Sequence, residues 1–282
     1  MNLPIDNPPI DTAGSHTSPL PDPLPAPPPG ALPDLPPGLV RTWVHGWARC
    51  RGTAAPVAAH GGFHIEIGLP DQPGRYVFPA VDPDVLRGLA ASITVPNLWI
   101  KVCAPRTEIA PFLPSGWEFT EPQFLMSTAL PEKPGPPEAP TGYTVETVDE
   151  DGTGVLACRV RDATTGGLAA RGRAAVTDVS TPHAVIYDMI HTSAGHRRRG
   201  LGSLVMNALS ARAVELGATR GILVASPEGQ SLYRSLGWDL HAPVTAARIP
   251  PPADSTVTTG PRTATGPRTA TATGTGPTRD TG

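Results

Sequence analysis

The sequence predicts an α/β protein built around a mixed sheet, and three observations lead there. Runs of strand length, alternating or wholly apolar, are interleaved with amphipathic runs of helix length. Ile222–Ala225 is a short all-apolar run of the kind buried in parallel sheets. Residues 131–142, PEKPGPPEAPTG, hold five prolines and few apolar side chains, a linker that splits the folded part into two halves.

Composition limits how much of the chain packs. Of 282 residues, 37 are proline and 30 glycine, far above average use. Residues 1–37 contain thirteen prolines, four aspartates and no lysine or arginine. So little apolar surface cannot offset the entropy of ordering the backbone, and a disordered, mildly acidic arm is expected. From Pro250 onward Thr, Ala, Gly, Pro and Arg dominate, and GPRTAT at Gly260–Thr265 recurs at Gly266–Thr271, which marks a low-complexity tail. Roughly 210 residues remain, enough for two small cores.

The net charge of −3 gives no case for nucleic acid or a membrane surface as the main partner. Cys50, Cys103 and Cys158 are widely spaced with no CxxC pattern, so neither a disulfide framework nor a zinc site is indicated, no metal is expected, and the expected compartment is the reducing cytosol. The N-terminus has no cationic region followed by an apolar run, and no stretch reaches the ~18 apolar residues of a membrane span. Export and membrane insertion are not expected.

In the first half, residues 38–130, Val40, Trp43, Val44 and Trp47 recur at helical spacing, and Gly52 stops that helix. Phe63–Gly68 alternates with Phe63, Ile65 and Ile67 on one face. Gln72-Pro73-Gly74 reads as a turn leading to a second strand, Arg75–Val81. Asp82 can cap a short helix with Pro83 at its first position and Val85, Leu86 and Leu89 inward. A strand at Leu98–Cys103, a helical piece from Ala104-Pro105 to Leu113, a turn at Pro114–Gly116 and a strand at Trp117–Leu130 follow. The order WIKVCAP, short helix, SGW is echoed by ILVASP, short helix, LGW at Ile222–Trp238. The echo fits either a degenerate repeat or a shared supersecondary habit. In a repeat, the first half has lost the ligand loop and serves as scaffold or as a wall of the substrate cleft.

In the second half, residues 143–249, strands are expected at Tyr143–Val148, Gly154–Val160 and Leu168–Val176, with turns at Asp162–Gly167 and Asp178–Pro182. A fourth strand begins at Ala184 and runs into HTSAGHRRRGLG. Helix Leu201–Leu216 buries Leu201, Leu204, Val205, Ala208, Leu209, Ala213 and Leu216, and Gly217 ends it. Strand Ile222–Ala225, helix Glu228–Leu236 and strand Asp239–Ile249 complete the pattern. Gly200 and Gly202 lack a Cβ, so the backbone can approach a ligand, and the helix from Leu201 presents free N–H groups and the positive end of its dipole. An anion belongs there, and the stretch reads as a pyrophosphate cradle.

Arg197, Gly200 and Gly202, in the spacing Arg-x-x-Gly-x-Gly at a strand-to-helix junction, with Tyr233 and Leu236-Gly237-Trp238 downstream, make residues 143–249 resemble the GNAT superfamily of N-acetyltransferases. The resemblance implies a mixed sheet with splayed parallel strands and acetyl-CoA as co-substrate. It assigns the pyrophosphate to the backbone of Arg197, Arg198, Arg199, Gly200, Leu201, Gly202 and Ser203, and the pantetheine arm to the strand edge at Ile190 and Thr192. Asp188 stands where many members carry a glutamate general base; being shorter, it would work through a water. Tyr233 matches the tyrosine that hydrogen-bonds the CoA sulfur and acts as general acid. Two positions depart from the family pattern: Ser226 replaces a common asparagine, and Ala194 replaces the usual proline.

The implied function is direct transfer of an acetyl group from acetyl-CoA to a primary amine of a small-molecule or peptide acceptor, with the first half shaping the acceptor pocket. The alternative is a non-catalytic acetyl-CoA-binding module for regulation or assembly. Blander readings stand beside the sharp ones. Arg197–Arg199 read alone is a solvated turn or a phosphate patch, Asp188 a structural acceptor and Tyr233 a core ring. His191 and His196 read as surface or phosphate-neighbouring residues, and Trp43, Trp47, Trp99 and Trp117 as core. Glu66 has no partner legible in sequence, and Asp82 none beyond its cap.

Overall fold

In a computed structural model of the protein, residues 35–251 are described, except 136, 151 and 178–182. The expected arm, the tail and the turn at 178–182 lie outside the described residues or nearly so. The chain order is α1 (Leu39–Arg51), β1 (Val57–Ala59), β2 (Gly62–Leu69), β3 (Gln72–Phe78), α2 (Pro83–Ser92), β4 (Trp99–Val102), α3 (Arg106–Ile109) running into a 3₁₀ turn, β5 (Glu118–Phe119) and β6 (Gln123–Ala129). Then come β7 (Tyr143–Glu150), β8 (Val155–Asp162), β9 (Leu168–Thr177), β10 (Ala184–Thr192), α4 (Leu201–Glu215), β11 (Arg220–Ala225), α5 (Pro227–Ser235) and β12 (Asp239–Arg248).

Local chemistry sets the helix ends. Gly52 closes α1 in the left-handed conformation (φ 65°) with its N–H on Ala48 and Arg49 carbonyls. Asp82 Oδ1 accepts from the N–H of Asp84 and of Val85, both at 3.1 Å, and caps α2. Two expectations need correction. Gln72-Pro73-Gly74 is not the turn: the chain reverses at Pro70-Asp71, and Pro73 sits inside β3 beside a register shift between Glu66 and Leu69, where the ladder needs no N–H from it. The run Trp117–Leu130 is not one strand, because Pro122 interrupts it between β5 and β6.

All the strands join one sheet, in the order β1-β2-β3-β4-β12-β6-β11-β10-β9-β8-β7, with β5 on β12. Its centre is an exchange between the halves. β6, the last strand of the first half, lies between β11 and β12, antiparallel to both. β12, the last strand of the second half, pairs through Asp239–Val244 with β6, then crosses so that Thr245–Arg248 pair with β4 and Ala247–Arg248 with β5. Each half therefore opens its sheet to receive the final strand of the other.

Three clusters of apolar side chains hold this together. α4 packs Leu201, Leu204, Val205 and Leu209 against Leu156, Val160, Val185 and Tyr187 on one face. The alternate residues of β10, Ala184 and Ile186, turn to the other face, where α1 brings Trp43, Val44 and Trp47 together with Ile65 and Val77 from the first half and Ile222 and Val244 from the second. α2 covers Phe78, Ile100 and Val102. α1 thus packs in a core that draws on both halves, and it approaches β10 closely: a Cβ built on Gly46 would lie 2.4 Å from Ile186 Cδ1 and 2.9 Å from its Cβ.

That contact yields a test of the clamp. Gly46→Ala gains about 1 kcal/mol of helix propensity but overpacks the α1–β10 crossing, which costs about 1–3 kcal/mol. Because the clash reaches the branched root of Ile186, the net effect is destabilising, and the urea midpoint should fall.

Candidate active site

The opening begins where two parallel strands part. β10 and β11 pair only through Ala184–Ile186 with Arg220–Ile222. Beyond Ile186 no strand of the described residues lies beside the β11-facing edge of β10, whereas β9 stays paired with β10 on the other side. The register with β9 shifts between Asp188 and His191, and Met189 takes φ 58°, so Met189 and Ile190 bulge opposite Gly172. Gly172 makes the bulge possible, since a Cβ there would lie 2.5 Å from Ile190 Cδ1. The comparable pair in the first half, β3 and β4, stays closed to its end, with Cys103 N donating to Phe78 O at 3.0 Å.

At the far end of β10 the chain makes a 3₁₀ turn at Ala194–His196 and enters α4 through Gly200, whose φ of 77° suits glycine. Leu204 N is the first to donate along α4, to Gly200 O at 3.0 Å, so the N–H groups of Leu201, Gly202 and Ser203 precede any intrahelical acceptor. A Cβ on Gly202 would sit 3.2 Å from Leu232 of α5 and 4.0 Å from Thr192 Oγ1. The glycine keeps the passage between α4, α5 and β10 open.

These elements enclose a cleft of about 730 Å³. Asp188, Ile190, Thr192, Arg197, Arg198, Gly200, Leu201, Gly202, Ser203 and Tyr233 all line it. Arg199 is not among its lining. Its Nη1 donates to Tyr143 Oη at 2.9 Å, and that hydroxyl also meets His196 Nδ1 at 3.0 Å, so Arg199 and His196 brace β7 instead. His191 lines the cleft from its exposed edge, and Ser226 lines it too while capping α5 through Gly229 N at 3.1 Å.

Asp188 is held from the other half of the chain. Arg51, the last residue of α1, donates from Nε to Asp188 Oδ2 at 2.5 Å and from Nη2 to Oδ1 at 3.2 Å, a bidentate fork that fixes the carboxylate plane. The same guanidinium lies 4.9 Å from the Trp47 ring. Tyr233, 7% exposed, reaches the cleft from α5. Burial, helped by the charge of Asp188, pushes its phenol up to about 12, so it stays protonated at neutral pH.

Sequence reasoning missed Arg51, Gln123, Arg75 and Lys101. Arg51 stands one helical turn after Trp47, the spacing that puts both on one face. Lys101 is a lone charge in a short apolar strand; its Nζ donates to Gln123 Oε1 at 2.7 Å. Arg75, 5% exposed, stacks 3.9 Å from the Trp47 ring. Among the described residues no group of three or more His, Cys, Asp or Glu side chains is arranged to hold a metal ion, and no helix is long and apolar enough to cross a membrane.

A splayed parallel pair, a bulge at its mouth and a glycine-opened helix start define the class of acyl-CoA-dependent transferases. Residues 123–238 match the acetyltransferase (GNAT) family, and the chain carries a domain of that family. A GCN5-related N-acetyltransferase from Kribbella flavida is similar in fold, with a TM-score of 0.53 at 18% identity over 76% of this chain and 96% of that one. A putative GNAT acetyltransferase from Novosphingobium aromaticivorans gives 0.49 at 18% identity over 75% and 96%. The first overlap is too long for the second half alone, so the shared fold includes both halves. No match was found among curated proteins.

Two outcomes test this geometry. Gly202→Glu places a carboxylate between Thr192 and Leu232 and should abolish acyl-CoA binding measured by calorimetry, with the fold retained by circular dichroism. Burial, and next the charge of Arg75, pulls Lys101 down from 10.5 to about 7. Between those values the unfolded chain binds a proton that the folded chain does not, so stability rises with pH through this window. The melting temperature should climb from pH 7 to pH 10 in the wild type, and that climb should shrink in Lys101→Met.

Proposed function

We propose that the protein transfers an acetyl group from acetyl-CoA to a primary amine by direct attack. The observation that carries this reading is that Asp188 and Tyr233 line one cleft with the glycine-opened start of α4, so that base, acid and phosphate cradle face a single ligand path. The pyrophosphate rests on the N–H groups of Leu201–Ser203, and the pantetheine arm runs along the free edge of β10 at Ile190 and Thr192, bonding like an added strand.

Acetyl-CoA supplies the acyl group, and the residues of this chain manage protons and position. The amine nitrogen attacks the thioester carbonyl carbon, the nitrogen–carbon bond forms and the carbon–sulfur bond breaks. The proton lost by nitrogen passes to Asp188 through a water, for which lone pairs not engaged by Arg51 remain available. The departing sulfur takes a proton from the Tyr233 hydroxyl, which has no hydrogen-bond partner among the described residues. No covalent acyl-enzyme is required. The three cysteines are buried and unpaired, which suits a reducing compartment such as the cytosol.

Thiol release from acetyl-CoA over a broad panel of amines tests this function; binding of acetyl-CoA with no release across the panel would favour a regulatory module instead. Asp188→Asn and Tyr233→Phe should each lower kcat by about tenfold to a hundredfold with little change in the KM for acetyl-CoA. An unchanged kcat in either variant removes that residue from the mechanism. Since Tyr233 stays protonated well above the ordinary tyrosine value, kcat in the wild type should show no loss from its ionisation up to about pH 10.

A further inference from the structure

Beside the cleft lies more positive charge than the neighbouring carboxylates balance. Arg51 faces the cleft already paired with Asp188. Behind it Arg75 is 5% exposed, its Nε has no hydrogen-bond partner, and among the described residues no carboxylate makes an ion pair with it. Lys101 lies on the neighbouring strand, where Val77 of β3 pairs with it, on the face that Arg75 shares. Of its three donors one is used, on Gln123. Asp188 is the carboxylate whose charge reaches both side chains, so Arg51, Arg75 and Lys101 share one anion. A buried cation without a counter-charge is strongly unfavourable, and such groups persist where something else completes them.

The structure also provides a place for the missing charge. A second cavity of about 330 Å³ adjoins the cleft, and Gln123 and Ser226 line both. Lys101 and Trp99 form part of its wall, and Trp99 Nε1 is a buried donor without a partner. Pro227, at the start of α5, brings the positive end of that helix to the same cavity. Glu121 lies at the exposed rim, so an anion is favoured on the Lys101 wall and disfavoured at the mouth.

We propose that the amine acceptor carries an anionic group, a carboxylate or a phosphate, that seats against Lys101 in this cavity while its amine meets Asp188. The inference rests on the reading of the cleft as an N-acyltransferase site and adds the acceptor's charge. Gln123 then positions Lys101, and Arg75 acts through space, raising the potential in which the anion sits. Burial that weakens the charge of free Lys101 is relieved when the anion arrives.

Matched amines that differ in charge test the proposal. Thiol release from acetyl-CoA is measured with amino acids against their amides, and with phosphoethanolamine against ethanolamine. The anionic member should be preferred by about tenfold or more in kcat/KM, the scale of one charged hydrogen bond. Which pair responds identifies carboxylate or phosphate. Lys101→Met should collapse the preference toward unity, and Lys101→Arg should keep most of it; should the first variant fail to fold, the wild-type ratio still decides. Equal kcat/KM for charged and neutral partners across the panel overturns this inference and leaves the acyltransferase reading standing. No release with any amine overturns both.

Discussion

The rest of the molecule depends on the crossed pairing of β6 and β12. A sheet that splays between β10 and β11 gives up hydrogen bonds on one side of each strand, and the loss is tolerable only if the other side is firmly held. β11 is held by β6 over its full length, from Arg220 with Ala129 to Ala225 with Phe124. β6 is held in turn by β12, and β12 is anchored in the first half by β4. The rigid wall of the cleft is therefore assembled from both halves, and α1 fastens the same arrangement from the opposite face through Trp43, Trp47 and Ile186. This lets the first half contribute to the site without a ligand loop of its own.

Charge follows the same division. The second half supplies the glycine-opened start of α4 and Asp188, and the first half supplies Arg51, which bonds Asp188, and Arg75 and Lys101, which feel its charge. Arg51 holds the carboxylate by two hydrogen bonds, while Arg75 and Lys101 make no ion pair with a carboxylate among the described residues. Burial opposes their charge, and the lowered value of Lys101, about 7, expresses how little the protein alone does to stabilise it. The charges beside the cleft thus come from both halves.

Much of this was legible in the sequence, and the limit is physical. The α4 periodicity, the glycines at 200 and 202, the Asp82 cap and the Gly52 stop depend on neighbours within one or two turns, and the sequence prints those neighbours. The exchange does not print itself, because the run Gln123–Ala129 carries no mark of which strands it will pair with. Arg51 and Asp188 are 137 residues apart, so no local pattern links them. Arg199 shows the converse: its neighbours in the arginine run face the cleft, yet a tyrosine 56 positions earlier draws it away. Backbone geometry was easier to read than side-chain placement, because a helix start fixes where its own N–H groups point.

The place of β12 in the sheet also governs when the molecule can become itself. As a chain emerges from synthesis, β4 is made early and waits for a neighbour more than a hundred residues away, since Val102 pairs with Thr245. β6 waits likewise for β11 and β12. Contacts of such sequence separation form slowly, because a long loop must close before they are rewarded. Neither half can complete its sheet until the last strand arrives, and the nascent first half therefore exposes an open strand edge throughout translation, the period in which it most needs shielding from other chains.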